Sequence, residues 1–500
     1  MPARLRESEM HRLVSLYRSG QFTETETKAR ALISQFPGEP KLRSILCLTL
    51  AKKGKLEDAS SGYRELLDIV PNDAEAHNNL GVILTQRSMQ EEAITSYRRA
   101  IEIKPNYVNA HSNLGDALLN IGRPAEAASA CRQALKIDPN FGPAHNFLGS
   151  ALRTLGELDE SVKSYHSALR SMPQSPEINT NLGSVLLDLQ RTTEAIQFLE
   201  KAISFSSEYE PAYYLMGNIQ SARGDYKKAA QFYERSSTQE SQAKILECFY
   251  ALNDIQAFDN KLKNMSDTDP KNIRAAAVSA FSAQQRKTTD IYSFCEDPLA
   301  FVSVIDLFAD SSLNIDKENM SAEAIKMEVE AVTDFVWEPP GITTTRGYQS
   351  SGDLFRLNSP NLIKLEKAIR KTINEYHVHH AKSTCGFISK WPEHYKLNAW
   401  YVRLLKNGYQ DSHIHPGGWL SGVFYLKIPE NLDGQEGSIE FSLHGYDYPI
   451  RTNDIPSKSH KPRAGELVLF PSSLFHRTIP FSKDVERHCI SFDLEPQKLS

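Results

Sequence analysis

Two histidines one residue apart, His413 and His415, stand in the segment SHIHPGGWLSGVFYL at residues 412–426, directly before a strand-like run. Because alternate residues of a strand point to the same side, both imidazoles would project into one cavity. Imidazole nitrogen is a common metal ligand. A His-x-His pair alone is more often two surface histidines, so a metal site needs further residues in a fitting order.

A third histidine and an arginine follow. His476 comes 63 residues after His413, in GELVLFPSSLFHRTIPF, where a strand and a tight turn precede it. Arg487 lies eleven residues further and begins the last strand-like run, and Ser491 shares its face. The combination of a histidine pair, a distant histidine and an arginine favours a metal site over surface histidines.

Short strand-like runs broken by Gly, Pro and Asn must position these residues. The predicted strands are LNAWYVRLL, WLSGVFYLKI, GSIEFSLH, GELVLFP and RHCISFDLE. One helix is predicted in SPNLIKLEKAIRKTINEYH, with Ser359 as its cap and Pro360 in its first turn. Many short strands with alternating faces indicate an antiparallel sandwich or barrel.

This arrangement resembles the 2-oxoglutarate- and Fe(II)-dependent oxygenases, which fold as a double-stranded β-helix (jelly roll), over residues 340–496. HIHPGGWLSGVFYL, GELVLFPSSLFH and ERHCISFD are similar to one subgroup of that superfamily. The resemblance implies that His413 and His476 bind Fe(II), with 2-oxoglutarate as co-substrate and O₂ as oxidant. It also implies that Arg487 binds the distal carboxylate of 2-oxoglutarate, as a planar guanidinium can, with Ser491 and Tyr425 as hydroxyl donors.

His415 departs from the pattern of this superfamily, which has Asp or Glu at that position. Three alternatives stay open: His415 is itself the third ligand, a nearby acid such as Asp411 or Glu440 replaces it, or water fills the position. Strand parity favours His415, because it shares the face of His413. Asp411 has the same parity, but YQDS resembles a turn, where alternation does not set side-chain direction.

The first half of the chain repeats every 34 residues. Pro, Gly and Ala recur at this period, with Ser161 in place of one alanine: Pro37, Pro71, Pro105, Pro139 and Pro173; Gly81, Gly115, Gly149, Gly183 and Gly217; Ala93, Ala127, Ala195 and Ala229. Each unit predicts a helical hairpin closed by Pro. The pattern resembles the tetratricopeptide repeat over about seven units, residues 5–240, and implies a right-handed α-solenoid with a concave surface.

Three asparagines, Asn79, Asn113 and Asn181, share one position of this repeat, with Phe147 at the fourth place. In related arrays this position faces the groove, where an amide can pair with the N–H and C=O of a peptide backbone. We therefore expect a protein or peptide to bind there. The alternative is that Asn is simply common at this position of the repeat.

The predicted organisation is an α + β multidomain chain. The solenoid occupies residues 5–240, a helical cap and linker residues 241–330, and the oxygenase-like jelly roll residues 331–500. The net charge of −5, without a concentrated run of Lys or Arg, gives no support for nucleic-acid or anionic-membrane binding. The charged N-terminus and the absence of long apolar runs predict a cytoplasmic protein.

The favoured functional hypothesis is a 2-oxoglutarate- and Fe(II)-dependent dioxygenase that hydroxylates a protein or peptide recruited by the repeats. Collagen prolyl hydroxylases and aspartyl β-hydroxylases, which join similar repeats to related domains, support this substrate class by analogy. One alternative is a scaffold whose β domain binds a ligand without redox activity, supported by the missing carboxylate. Another is a small-molecule or glycan oxygenase that uses its repeats only for assembly.

Overall fold

A computed structural model describes residues 5–295, 297–309, 321–333, 335–340, 342–357 and 359–497. The chain divides into two compact units, Met1–Pro173 and Gln174–Ser500. The first unit consists of helical hairpins throughout its described residues. Its helices are α1 (Glu7–Arg18), α2 (Phe22–Gln35), α3 (Pro40–Lys52), α4 (Leu56–Ile69), α5 (Ala74–Gln86), α6 (Gln90–Ile103), α7 (Val108–Asn120), α8 (Pro124–Ile137), α9 (Gly142–Thr154) and α10 (Leu158–Ser171).

The repeated residues explain how each hairpin closes. Asp73 caps α5 by accepting hydrogen bonds from the backbone N–H groups of Glu75 and Ala76. A Cβ atom at Gly81 would collide with the ring of Tyr97 on the paired helix α6. Glycine at this position therefore lets the two helices of a hairpin approach closely, and the predicted α-solenoid of helical hairpins is confirmed.

The second unit begins with two more hairpins and a helical layer that packs on a β domain. Its helices are α11 (Pro176–Asp188), α12 (Thr192–Phe205), α13 (Glu210–Ala222), α14 (Tyr226–Glu234), α15 (Gln239–Ala251), α16 (Ile255–Thr268), α17 (Ile273–Arg286), α18 (Ala322–Val332), α19 (Pro360–His380) and α20 (Gly386–Ser389). Buried residues of α15–α17 share one hydrophobic core with the β domain. No helix within the described ranges combines the length and apolarity needed to cross a membrane.

The β domain is an antiparallel jelly roll, as predicted. Its strands are β1 (Ser303–Asp306), β2 (Phe335–Trp337), β3 (Thr344–Ser350), β4 (Tyr395–His413), β5 (Leu420–Lys427), β6 (Ile439–Ser442), β7 (Ser457–His460), β8 (Glu466–Pro471), β9 (Phe475–Thr478) and β10 (Arg487–Pro496). The order is β1-β8-β5-β10-β4-β9-β6-β7, with β3 pairing β2 and β4. The long strand β4 connects the two halves, because it pairs with β10 and β3 and then, after a register shift, with β9.

Three local predictions differ from the structure. YQDS is not a turn but the last part of β4, which runs to His413. Residues 303–306 of the predicted helical linker form β1, which pairs with β8. Ser359 stands at the N-cap of α19, but its hydroxyl bonds to Glu328, whose carboxylate accepts the N–H of Asn361 at 2.9 Å. Glu328 of α18 therefore supplies the acceptor that Ser359 was expected to provide.

Candidate metal centre

Three imidazoles meet at the end of β4. His413 is the last residue of β4 and lies directly opposite His476 on β9. His415 follows in the loop before β5, where its backbone N–H donates to the carbonyl of Ser472 at 3.1 Å. The ring centres are 4.3 Å apart for His413 and His476, 5.1 Å for His413 and His415, and 4.9 Å for His415 and His476. Their possible ligand nitrogens all lie within 4.8 Å of one another.

A register shift between β4 and β9 positions His413. The pairing is regular at Gln410 and Thr478 and resumes at His413 and His476 after a bulge. Bulges of this kind are common beside active sites, because they redirect a side chain. His415 is thus not held by strand alternation, as the sequence predicted, but by the loop that follows β4. The two side chains nevertheless reach one cavity.

The Nδ1 atom of each imidazole faces an oxygen that can only accept a hydrogen bond. His413 Nδ1 lies 2.6 Å from the carbonyl of Asp411, and His476 Nδ1 lies 3.3 Å from the carbonyl of Leu474. His415 Nδ1 lies 2.5 Å from a carboxylate oxygen of Asp493. Each Nδ1 must therefore carry the proton. In the neutral rings this leaves the three Nε2 lone pairs free to bind a metal.

The electrostatics favour neutral imidazoles. Burial and the neighbouring His415 lower the pKa of His413 to about 3. Burial and the two other histidines lower the pKa of His476 well below its usual value. Neutral imidazole is the form that binds a metal, so at neutral pH these rings need not lose a proton before binding.

The two acids considered as replacements for His415 lie outside this cluster. Asp411 has an exposed side chain and contributes its backbone carbonyl to His413. Glu440 on β6 forms an ion pair with Arg477 at 2.6 Å. The carboxylate at the site is instead that of Asp493 on β10, directly behind His415. Sequence reasoning missed Asp493, although it shares the strand parity of Arg487 and Ser491.

Two of the residues expected to bind a co-substrate, Arg487 and Ser491, line the same cavity, and the third, Tyr425, contacts Arg487. This small cavity is lined by the three histidines, Arg487 and Ser491. Arg487 is 1% exposed, and its guanidinium stacks on the ring of Tyr425 at 5.0 Å. The Nε of Arg487 and the hydroxyl of Tyr425 are buried without a hydrogen-bond partner among the described residues. A buried cation beside unpaired donors suits the carboxylate of a keto acid, so these residues fit Fe(II) and 2-oxoglutarate.

Above the histidines, an open pocket leads to solvent. Its walls include Ile342, Trp400, Pro416 and Tyr446, together with His413 and His415. The ring of Tyr446 also stacks under the guanidinium of Arg274 from α17, 4.5 Å from the ring centre. One side of the pocket rim is therefore apolar and aromatic, and the helical layer contacts this rim through Arg274.

The repeat asparagines occupy two different units. In the first, the amide of Asn79 donates to the hydroxyl of Tyr63 at 3.3 Å, and that of Asn113 donates to Asn78 at 3.0 Å. In the second, Asn181 lines a surface pocket with Ser184, Tyr214 and Glu240. All three asparagine side chains are partly exposed. Their proposed role in peptide binding stays a prediction.

Family models match both halves of the chain. Residues 398–493 match the family described as "Putative 2OG-Fe(II) oxygenase". Models of the tetratricopeptide repeat match residues 48–87, 83–122, 108–141, 148–211 and 212–244. Both resemblances drawn from the sequence are thus confirmed. Among curated proteins, none matches the chain significantly.

Several solved structures are similar to the repeats. PilF of Pseudomonas aeruginosa is 21% identical, with 42% of this chain and 97% of that chain covered and a TM-score of 0.37. A tetratricopeptide repeat protein of Parabacteroides merdae is 16% identical, with 48% and 96% covered and a TM-score of 0.42. YrrB, described as having an unusual peptide-binding site, is 20% identical, with 37% and 95% covered and a TM-score of 0.31. The similarity concerns the helical-repeat fold alone.

Proposed function

We propose that the protein is a 2-oxoglutarate- and Fe(II)-dependent dioxygenase acting on a protein or peptide, because its chain matches family models of the tetratricopeptide repeat and of a 2OG-Fe(II) oxygenase. The observation that carries the proposal is one cavity lined by three available imidazole Nε2 atoms and a buried, incompletely paired arginine. In this proposal His413, His415 and His476 hold Fe(II). Arg487, with Tyr425 and Ser491, holds the carboxylate of 2-oxoglutarate.

Bound Fe(II) would supply the activation of O₂, which no side chain of this site can perform. The protein's own contribution is position and electrostatics. Arg487 would orient the co-substrate in the cavity, while the open pocket beside Trp400 and Tyr446, which shares His413 and His415 with that cavity, leaves room for a substrate. The low pKa of His413 keeps its ring neutral for metal binding at neutral pH.

The activity is tested by purifying the protein without oxygen, adding Fe(II) and 2-oxoglutarate, admitting O₂ and measuring succinate. His476→Ala removes one proposed ligand and should abolish both iron retention and succinate formation. His444→Ala is the matched control, because His444 bonds to the carbonyl of Tyr448 at 2.9 Å, outside the cluster. If the wild type retains no iron and forms no succinate, the scaffold alternative replaces the proposal.

A protein or peptide substrate is supported by the layout of the second unit. The pocket that contains Asn181 also contains Glu240, which forms an ion pair with Arg274 at 2.8 Å. Arg274 in turn stacks on Tyr446 at the rim of the metal-site pocket. One buried arginine therefore contacts a residue of each pocket, and an extended chain held at the first could be presented to the second.

The substrate class is tested by capturing proteins on the inactive His476→Ala chain and comparing them by mass spectrometry before and after treatment with the active enzyme. Peptides that gain one oxygen atom only with active enzyme, Fe(II) and 2-oxoglutarate would identify substrates. Triple replacement of Asn79, Asn113 and Asn181 by Ala should reduce capture. Unchanged capture by that variant would remove the asparagines from the proposal.

A further inference from the structure

Only one of the three imidazoles has a charged acceptor behind it. The Nδ1 atoms of His413 and His476 donate to the backbone carbonyls of Asp411 and Leu474. His415 donates to the Asp493 carboxylate at 2.5 Å, and both side chains are 12% exposed. The ligand position at which related oxygenases carry an acid is thus occupied by a histidine that is itself bonded to an acid.

The Asp493 carboxylate is held in place by its own contacts. The hydroxyl of Ser421 donates to the same oxygen of Asp493 at 2.6 Å and lies 2.8 Å from the hydroxyl of Ser472. Ser421 and Ser472 are fully buried. Because the carboxylate receives bonds from a buried hydroxyl and from His415, it is fixed between β5, β10 and the histidine loop.

Gly418 provides the space for this contact. A Cβ atom at Gly418 would lie 2.6 Å from Ser472 Oγ and 3.1 Å from Asp493 Cγ. The first distance is too short for a carbon atom and the second is tighter than most such contacts, so a side chain here would displace the serine hydroxyl and press on the carboxylate. The second glycine of the PGGW segment therefore has a specific role, which is to let the His415 loop approach Asp493.

We infer that Asp493 is a positioning residue for the metal site. It holds His415 with Nε2 towards the metal. It also supplies, one residue away from the metal, the negative charge that an Asp or Glu ligand would carry. The inference rests on the proposed function, since it concerns metal binding by the three histidines. Carboxylates that accept the distal N–H of a ligand histidine fix its tautomer and orientation and raise its basicity.

Two variants separate orientation from charge. Asp493→Asn keeps the shape and one acceptor oxygen but removes the charge, and Asp493→Ala removes both. Loss of such a partner typically lowers metal affinity by about 10–100-fold. We expect Asp493→Ala to reach the upper end of this range and Asp493→Asn to lose affinity by about tenfold. Glu440→Gln is the control, because Glu440 is an acid of the same domain that is paired with Arg477.

The experiment titrates the metal-free full-length chain with Co(II) alone, in the absence of oxygen and 2-oxoglutarate, and follows the visible absorption of the bound ion. Circular dichroism verifies that each variant is folded. In ¹⁵N-histidine-labelled metal-free protein, His415 should show the Nδ1–H tautomer in the wild type and lose that preference in Asp493→Ala.

The result that supports the inference is weaker Co(II) binding in both Asp493 variants, unchanged binding in Glu440→Gln and a changed His415 tautomer. Equal Co(II) affinity in the wild type and both Asp493 variants would overturn the inference while leaving the proposed function intact. A wild type that binds no Co(II) would overturn both together. If Asp493→Ala fails to fold, the Co(II) affinities of the wild type and Asp493→Asn are compared instead, and equal affinities would overturn the inference.

Discussion

Arg487 is the residue whose environment most clearly requires a ligand. Arg487 is 1% exposed, and its guanidinium stacks on Tyr425 and donates to Cys489 Sγ at 3.7 Å. Among the described residues, no carboxylate accepts a hydrogen bond from it, and its Nε has no partner. A buried charge without a partner is costly, and a dicarboxylic keto acid would remove that cost. Because Arg487 is not one of the proposed metal ligands, replacing it tests the proposed co-substrate binding separately from metal binding.

Arg487→Met should leave Fe(II) retention unchanged and raise the KM for 2-oxoglutarate by about 100-fold. This corresponds to about 2.7 kcal/mol, within the range for hydrogen bonds to a charged group. The measurement is succinate formation as a function of 2-oxoglutarate concentration. Arg477→Met is the matched control, since Arg477 is exposed and paired with Glu440. An unchanged KM in Arg487→Met would remove Arg487 from the co-substrate site.

Cys385 is a second residue with unusual chemistry. A hydrogen bond from the Cys295 thiol, opposed by partial burial and helped by the hydroxyl of Ser383 at 3.3 Å, lowers the pKa of Cys385 to about 6. Burial raises the pKa of Cys295 well above its usual value. At neutral pH, Cys385 is therefore a thiolate and Cys295 a thiol.

The rate at which iodoacetamide alkylates Cys385 should rise with pH and reach half its maximum near pH 6, because only the thiolate reacts. Cys295→Ala removes the donor and should move the half-point to higher pH. Peptide mass spectrometry measures the rate at each pH. Cys248 is the internal control, since burial raises its pKa to about 12 and it should not react. A half-point above pH 8 in the wild type would contradict the assignment.

At the scale of elements, β4 and β10 form the frame of the site. β10 supplies Arg487, Ser491 and Asp493 on one face, and β4 ends at His413. β5 lies beside β10, where Gly422 is paired with Phe492. A Cβ atom at Gly422 would overlap the Phe492 ring, so the aromatic side chain occupies the space that the glycine leaves.

Gly422→Ala should lower the free energy of unfolding of the β domain by about 1–3 kcal/mol, because the added methyl group overpacks the sheet against Phe492. Denaturant unfolding followed by tryptophan fluorescence measures this, since all four tryptophans lie between residues 337 and 419. A Cβ atom at Gly417 would meet no other atom within 4 Å. Gly417→Ala should therefore change the free energy of unfolding by less than about 0.5 kcal/mol. Equal stability of the two variants would contradict the packing account.

The elements also show what the sequence could and could not predict. Alternation placed Arg487 and Ser491 on one face of β10, and the 34-residue period predicted the hairpins, because both depend on local pattern. The length of β4, however, depends on a bulge at its far end and on Asn407 at φ 59°, which no short-range pattern specifies. The bond between His415 and Asp493 joins residues 78 positions apart and depends on Gly418. The sequence showed that Asp493 shares the face of Arg487 and Ser491, but it did not show that Asp493 bonds to His415.

At the scale of the whole molecule, Arg274 connects the helical layer to the β domain within the second unit. It is 7% exposed, pairs with Glu247 at 2.8 Å and stacks on Tyr446. Although burial opposes ionisation, the charges of Arg274 and Lys244 lower the pKa of Glu247. Removing Arg274 would leave Glu247 as a buried charge with a weaker counterion.

Arg274→Met should destabilise the second unit by about 3–5 kcal/mol, the usual cost of removing one partner of a buried ion pair. Arg286→Met, on the same helix, removes a partly exposed pair with Asp259 and should cost about 1 kcal/mol or less. Denaturant unfolding of the full chain compares the two variants. A smaller effect for Arg274→Met than for Arg286→Met would contradict the role given to this residue.

If the three histidines and Arg487 form a working oxygenase centre, oxygen from O₂ must enter the succinate that the protein releases. The wild type, loaded with Fe(II) and 2-oxoglutarate, is exposed to ¹⁸O₂, and the succinate is analysed by mass spectrometry. We expect the wild type to release succinate carrying one heavy oxygen atom and His476→Ala to release none. Unlabelled succinate, or equal amounts of succinate from both proteins, would rule out an oxygenase centre formed by these residues.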